Sequence, residues 1–184
     1  AEQLGLVPVA TTLVFAVYTF TLLAALLYLG PLSDHIGRRP VVTAGSLALA
    51  LSLAMFWFAD SLATLLVARA LQGLAAGLLI PALSAMMIDF EPPSHPNIAA
   101  LWNTIGPMIG LGTGALGAAL LLDLTPEPTA AVFGPLVLAF HTVAATVWST
   151  PELVPKTRIR RGDLRPRFMV PLHLRRMFTA GVPA

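Results

Sequence analysis

Five apolar stretches, each long enough to cross a lipid bilayer, constrain this chain more than any motif in it. They run from Leu4 to Leu29, Val41 to Ala59, Leu62 to Ile88, Ile98 to Leu122 and Thr129 to Thr150. A hydrocarbon core of about 30 Å takes about 20 helical residues. Only helices suit these lengths, because an open sheet would leave backbone N–H and C=O groups unpaired in lipid. The breaks between them carry turn chemistry: Gly30-Pro31 to Pro40, Asp60-Ser61, "DFEPPSHPN" at 89–97 and "DLTPEP" at 123–128. The expected fold is all-α, a polytopic bundle of membrane helices occupying residues 1–150, with no soluble domain.

Composition agrees. The 184 residues are 57% hydrophobic and 11% charged, with a mean hydropathy of +0.81. Nine acids and eleven basic residues are too few to cover the outside of a soluble domain of this size. Cysteine is absent, which excludes disulfides and thiolate metal sites. The basic balance does not indicate nucleic acid: eight of the eleven Lys/Arg follow residue 155, so the basicity belongs to one tail rather than to a folded face.

The same cations set an orientation. Lys and Arg beside membrane ends are retained on the cytoplasmic side. Arg38 and Arg39 follow the first crossing, and Lys156 to Arg176 follow the fifth. Alternate crossing then places the loops at Asp60 and at Asp123 to Glu127 outside, where no Lys or Arg occurs. The loop at 89–97 falls inside with Asp89 and Glu91 and no cation, a mild exception. The expectation is a multi-pass protein of the cytoplasmic (inner) membrane that starts outside and ends inside. The chain opens at Ala1 with neither Met nor a signal-peptide pattern, so it reads as a fragment with a further helix expected upstream.

Between the first two crossings lies "LGPLSDHIGRRPVV". Asp34 sits at the C-terminal end of one helix, and Arg38 and Arg39 at the N-terminal end of the next, each opposed by the local helix dipole. Such charges need compensation: Asp34 pairs across the turn with Arg38 or Arg39, or it meets the N-terminus of another helix. The plain alternative is topology-setting arginines beside a solvated acid. Gly37 permits a tight turn and Pro40 suits a first helical turn.

This stretch resembles the loop signature of the major facilitator superfamily, G-x-L-S/A-D-x-x-G-R-R/K. Gly30, Asp34, Gly37, Arg38 and Arg39 occupy its positions, and His35 departs from the usual Arg or Lys. The resemblance implies a gating loop between the family's second and third helices, whose acid docks on the other half of a transporter. It makes the five crossings the family's second to sixth, and "PELVPKT" at 151–157 similar to the end of the sixth. Residues 151–184 then resemble the basic central cytoplasmic loop, leading toward a seventh helix. The implied partners are the first helix and the carboxy-terminal half of the same transporter, with the lipid bilayer and a small-molecule substrate.

The third crossing holds Arg69 about 12 Å deep, at 1.5 Å per residue, where an arginine costs roughly 2.5–3.5 kcal/mol. Gly73, Ala76, Ile80 and Ser84 continue its face. Arg69, Gln72, Gly73 and Gly77 resemble the superfamily's R-x-x-x-G signature, which implies proton coupling or substrate binding; a snorkelling side chain is the alternative. In the fourth crossing Gly106, Gly110, Gly114 and Gly117 share one face, suited to close packing. Pro107 has no N–H for the carbonyl of Asn103, so a bend and a freed acceptor are expected there. Gly106, Pro107 and Gly110 match part of the family's antiporter signature G-x-x-x-G-P-x-x-G-G, while Trp102 and Leu111 depart from it. Thr11, Phe15, Tyr18 and Thr21 make a polar-aromatic face on the first crossing, lining a substrate path or simply packing.

No phosphate-cradling Gly-Lys loop, zinc-type His/Glu cluster or nucleophile with a base is present in the sequence. The chain is not expected to be an enzyme or to use a metal or cofactor, which leaves an ion gradient as its energy source. The reading is a gradient-driven transporter of small molecules, most like the drug/proton antiporters. The alternatives are uptake of sugars or small metabolites, or a non-transporting membrane scaffold or sensor.

Overall fold

The computed structural model describes residues 8–152. Their elements are α1 (Pro8–Leu29), α2 (Leu32–Ile36), α3 (Arg38–Trp57), α4 (Leu62–Asp89), α5 (Ile98–Leu124) and α6 (Pro128–Ser149), with no strand among the described residues. Five of them, all but α2, are long and apolar enough to cross a membrane. Large apolar side chains cover their outer surface; Met108 is 72% exposed and Leu111 77%. That surface suits lipid, and the chain is a multi-pass membrane protein.

Several boundaries differ from the sequence reading by a few residues. The second crossing begins at Arg38 rather than Val41, because a carboxylate from elsewhere in the chain satisfies its first N–H groups. The short helix α2 occupies what reads as turn; the N–H of Asp34 bonds to the carbonyl of Pro31 at 3.1 Å and that of Gly37 to Ser33 at 3.2 Å. The fourth crossing runs to Leu124, two residues past the apolar run. Residues 4–7 of the first crossing, and the basic tail from residue 153 onward, lie outside the described residues.

Helix α4 is the centre of the bundle, packing against α1 on one side and α3 on the other, while α3 also packs against α6. Gly73 and Gly77 make the first of these contacts close. A methyl group on Gly73 would lie 2.5 Å from the carbonyl oxygen of Tyr18 and 2.9 Å from the nitrogen of Leu22; one on Gly77 would lie 2.9 Å from the carbonyl oxygen of Leu22. Backbones meet there as small-residue membrane interfaces allow. Between α3 and α4, buried Ser52 donates to the carbonyl of Ala68 at 2.8 Å. Val41, Val42, Leu79, Ala82 and Val147 form a core where α3, α4 and α6 meet.

Helix ends are finished by side chains. Ser61 caps α4 by accepting the N–H of Thr64 at 3.2 Å. Glu91 accepts the N–H groups of Asn97, at 2.6 Å, and Ala99, at 3.1 Å, at the start of α5. This explains why an acid stands in that loop without a cation: the positive end of α5 is its partner. Helix α5 continues through Pro107 and α4 through Pro81.

Candidate functional site: an ion-pair junction and a buried arginine

Arg38 opens α3 with its side chain 16% exposed and two carboxylates upon it. Its Nη1 pairs with Oδ1 of Asp34 and donates to Oγ of Ser33 at 2.8 Å. Its Nε donates to Oδ2 of Asp89 at 3.0 Å. A planar guanidinium is suited to this, because its donors point along fixed, divergent directions. The link joins α2, α3 and the last residue of α4.

Glu152, just beyond α6, completes the junction. Its Oε1 accepts the backbone N–H of Arg38 at 3.2 Å and its Oε2 that of Arg39 at 2.9 Å. The carboxylate thereby meets the positive end of α3 and satisfies two of its otherwise unbonded donors. Gly37, at φ 102° and ψ 154°, occupies a backbone region open essentially to glycine, and a Cβ there would collide with the Glu152 carboxylate. Arg39 turns the other way, its guanidinium carbon 4.3 Å from the centroid of the Trp148 ring. Gly30 ends the first crossing beside the carbonyl of Leu26.

Of the two compensations expected for Asp34, pairing with Arg38 is the one present. The helix N-terminus is met by Glu152 instead. The sequence reading singled out neither Glu152 nor Asp89. A signal for Asp89 existed, since an acid at a helix C-terminus opposes the dipole and calls for a cation. Nothing local pointed to Glu152, which lies 114 residues from Arg38.

Arg69 is partly buried toward the opposite end of the bundle. Its Nη1 donates to Oε1 of Gln72 at 2.7 Å, and its guanidinium carbon lies 4.8 Å from the Phe56 ring centroid and 5.4 Å from that of Phe15. Two aromatic faces stabilise a cation that no acid among the described residues reaches. Its Nε is buried without a hydrogen-bond partner among the described residues. Phe15 belongs to the polar-aromatic face noted in the sequence, whereas Phe56, from α3, was not anticipated. Tyr18 lies on that same face, its carbonyl against Gly73 one turn beyond Arg69, while Thr21 spends its hydroxyl on the carbonyls of Val17 at 2.9 Å and Tyr18 at 3.0 Å.

Asn103 lies apart from both clusters, on α5, where its Oδ1 accepts from Oγ of Ser84 on α4 at 2.9 Å. Gly106, Gly110 and Gly114, with Gly117, present open space: a Cβ on any of them meets nothing within 4 Å among the described residues. Among the described residues no group of His, Asp and Glu is arranged to hold a metal ion.

Known proteins place this architecture. A family model described as Major Facilitator Superfamily matches residues 1–182. The multidrug efflux pump LfrA of Mycolicibacterium smegmatis is 32% identical over 177 residues, covering 77% of this chain and 34% of LfrA. The multidrug resistance protein MdtL of Escherichia coli is 27% identical over 162 residues, 85% of this chain and 41% of MdtL. The multidrug resistance protein MdtM of Escherichia coli reaches 53% identity over 45 residues, 24% of this chain and 11% of MdtM. The chain spans less than half the length of these relatives. Matched by the family's pattern along almost its whole length, and built of membrane-crossing helices, the chain belongs to the major facilitator superfamily.

Proposed function

We propose that this chain is part of a secondary transporter that exports small molecules by alternating access, driven by a proton gradient. The observation that carries the reading is the Arg38 junction: one guanidinium holds carboxylates from α2 and α4 while Glu152 holds the start of the arginine's own helix. It joins four helix ends through polar contacts that can exchange partners, as a gate requires, and not through apolar interlock. Asp34, Gly37 and Arg38 form the gate, with Gly30 and Arg39 framing it, at the cytoplasmic end of the bundle. Arg69 and Gln72 couple the proton or hold substrate beside Tyr18, and Asn103 faces substrate. Gly73 and Gly77 pack α4 on α1; Gly106, Pro107, Gly110 and Gly114 let α5 bend. The multidrug efflux and resistance proteins among the relatives support export as the direction.

The test is uptake of a lipophilic aromatic dye by inverted vesicles containing the complete natural protein, with and without a proton gradient. Accumulation that collapses when the gradient is discharged is the expected result. Dye movement indifferent to the gradient would remove the coupling, and no movement at all would remove drug export.

A further inference from the structure

Where α4 and α5 face each other the bundle leaves a groove of about 390 Å³, within the roughly 300–1,000 Å³ of small-molecule sites. Ile80, Leu83 and Met87 of α4 and Trp102 of α5 make it apolar and aromatic, and Ser84 and Asn103 supply its polar atoms. No ionisable side chain among the described residues lines it. Asn103 is the sixth residue of α5 and Ser84 the sixth from the end of α4, so the groove opens about 8 Å, at 1.5 Å per residue, from the end that holds the Arg38 junction.

The polar atoms are arranged for a ligand. The Ser84 hydroxyl donates to Oδ1 of Asn103 at 2.9 Å, which fixes the orientation of the carboxamide and leaves its Nδ2 with two protons to give. No described residue accepts them. A donor left unpaired at this depth is costly, because lipid chains offer no acceptor. Gly106 and Pro107 form the rest of the α5 wall; glycine there removes the side chain that would narrow the groove.

We infer that this groove binds an uncharged aromatic molecule carrying a hydrogen-bond acceptor, with its ring on Trp102 and its acceptor on Nδ2 of Asn103. The inference rests on the transporter reading for its purpose and assigns the class of molecule taken: selection comes from one neutral hydrogen bond and an aromatic face, since the groove has no counter-charge for an ion. A saturated acyl chain fits the apolar walls but leaves the amide unpaired.

Benzophenone, an uncharged diaryl ketone whose excited carbonyl inserts into nearby C–H bonds, is a direct probe. The complete natural protein in lipid nanodiscs is irradiated over a range of benzophenone concentrations without any gradient, and adducts are located by mass spectrometry. Met87 lines the groove, while Met108, on the same helix as Asn103, is outside that lining and 72% exposed. Saturable labelling at Met87 is expected, against labelling at Met108 that rises linearly. Asn103→Leu should raise the half-saturating concentration at Met87 roughly five- to tenfold, the loss of about one hydrogen bond. Ser84→Ala, which frees the carboxamide to turn, should give a smaller rise in the same direction and serves if Asn103→Leu does not fold. Linear labelling at Met87, as expected of a groove filled by acyl chains, or a half-saturation unmoved by Ser84→Ala and Asn103→Leu, would overturn the site. Because no gradient is involved, saturable labelling in a protein that fails to move dye would keep the groove and discard the pump.

Discussion

Arg38 donates from Nε to Oδ2 of Asp89 at 3.0 Å, fastening the first residue of α3 to the last residue of α4. The same guanidinium holds Asp34, in the first turn of α2, so one cation answers two acids, of which Asp89 opposes the dipole of its own helix end. With Glu152 on the start of α3, every charge in the junction that local helix electrostatics disfavours has a partner from another element.

Asp34→Asn should separate function from stability. The Asp34 side chain is 56% exposed, so its pair with Arg38 contributes no more than about 1 kcal/mol, and insertion and thermal stability should stay close to those of the parent. Dye efflux in vesicles should fall at least about tenfold. Normal efflux by the inserted variant would deny the gating role.

Glu152→Ala should act through α3 itself. Two N–H groups lose their acceptor, and losing a helix cap costs about 0.5–2 kcal/mol. Gly37→Ala should reproduce that loss and add about 1–3 kcal/mol of backbone strain, because its Cβ displaces the same carboxylate. Thermal melts of the detergent-solubilised protein should rank parent above Glu152→Ala above Gly37→Ala; a Gly37→Ala protein as stable as the parent would contradict the described turn.

Arg69→Ala should flatten the pH dependence of efflux, and Arg69→Lys should rescue little of it. A lysine retains the charge but has no planar group to lie against Phe15 and Phe56 while reaching Gln72. Phe56→Leu should give an intermediate effect. Efflux from vesicles set at successive pH values reads all three; an unchanged profile in Arg69→Ala would assign the arginine to packing alone.

Gly77→Val should be among the most damaging substitutions in the bundle, costing about 2 kcal/mol or more by overpacking, since even a methyl group lies 2.9 Å from the Leu22 carbonyl oxygen. Gly110→Ala meets nothing among the described residues, so its melt should match the parent's within about 0.5 kcal/mol. Equal losses from both variants would mean that α5 is packed as tightly as α4.

What the sequence by itself determined was the class: long apolar runs admit only membrane-crossing helices, and the Gly, Pro, Asp and Arg between them mark where those helices end. It also exposed Asp34, Arg38 and Arg69 as charges in need of partners, because the penalty for a misplaced charge depends only on its position along a helix. Who answers each charge was decided by tertiary structure. Asp89 and Glu152 meet Arg38 across 51 and 114 residues, and Phe56 reaches Arg69 from another helix, distances over which no periodicity carries information. The glycines divide the same way. Gly73 and Gly110 look alike as members of small-residue stripes, yet one is pressed against α1 and the other faces open space, because a helix face acquires a neighbour only when the bundle assembles around it.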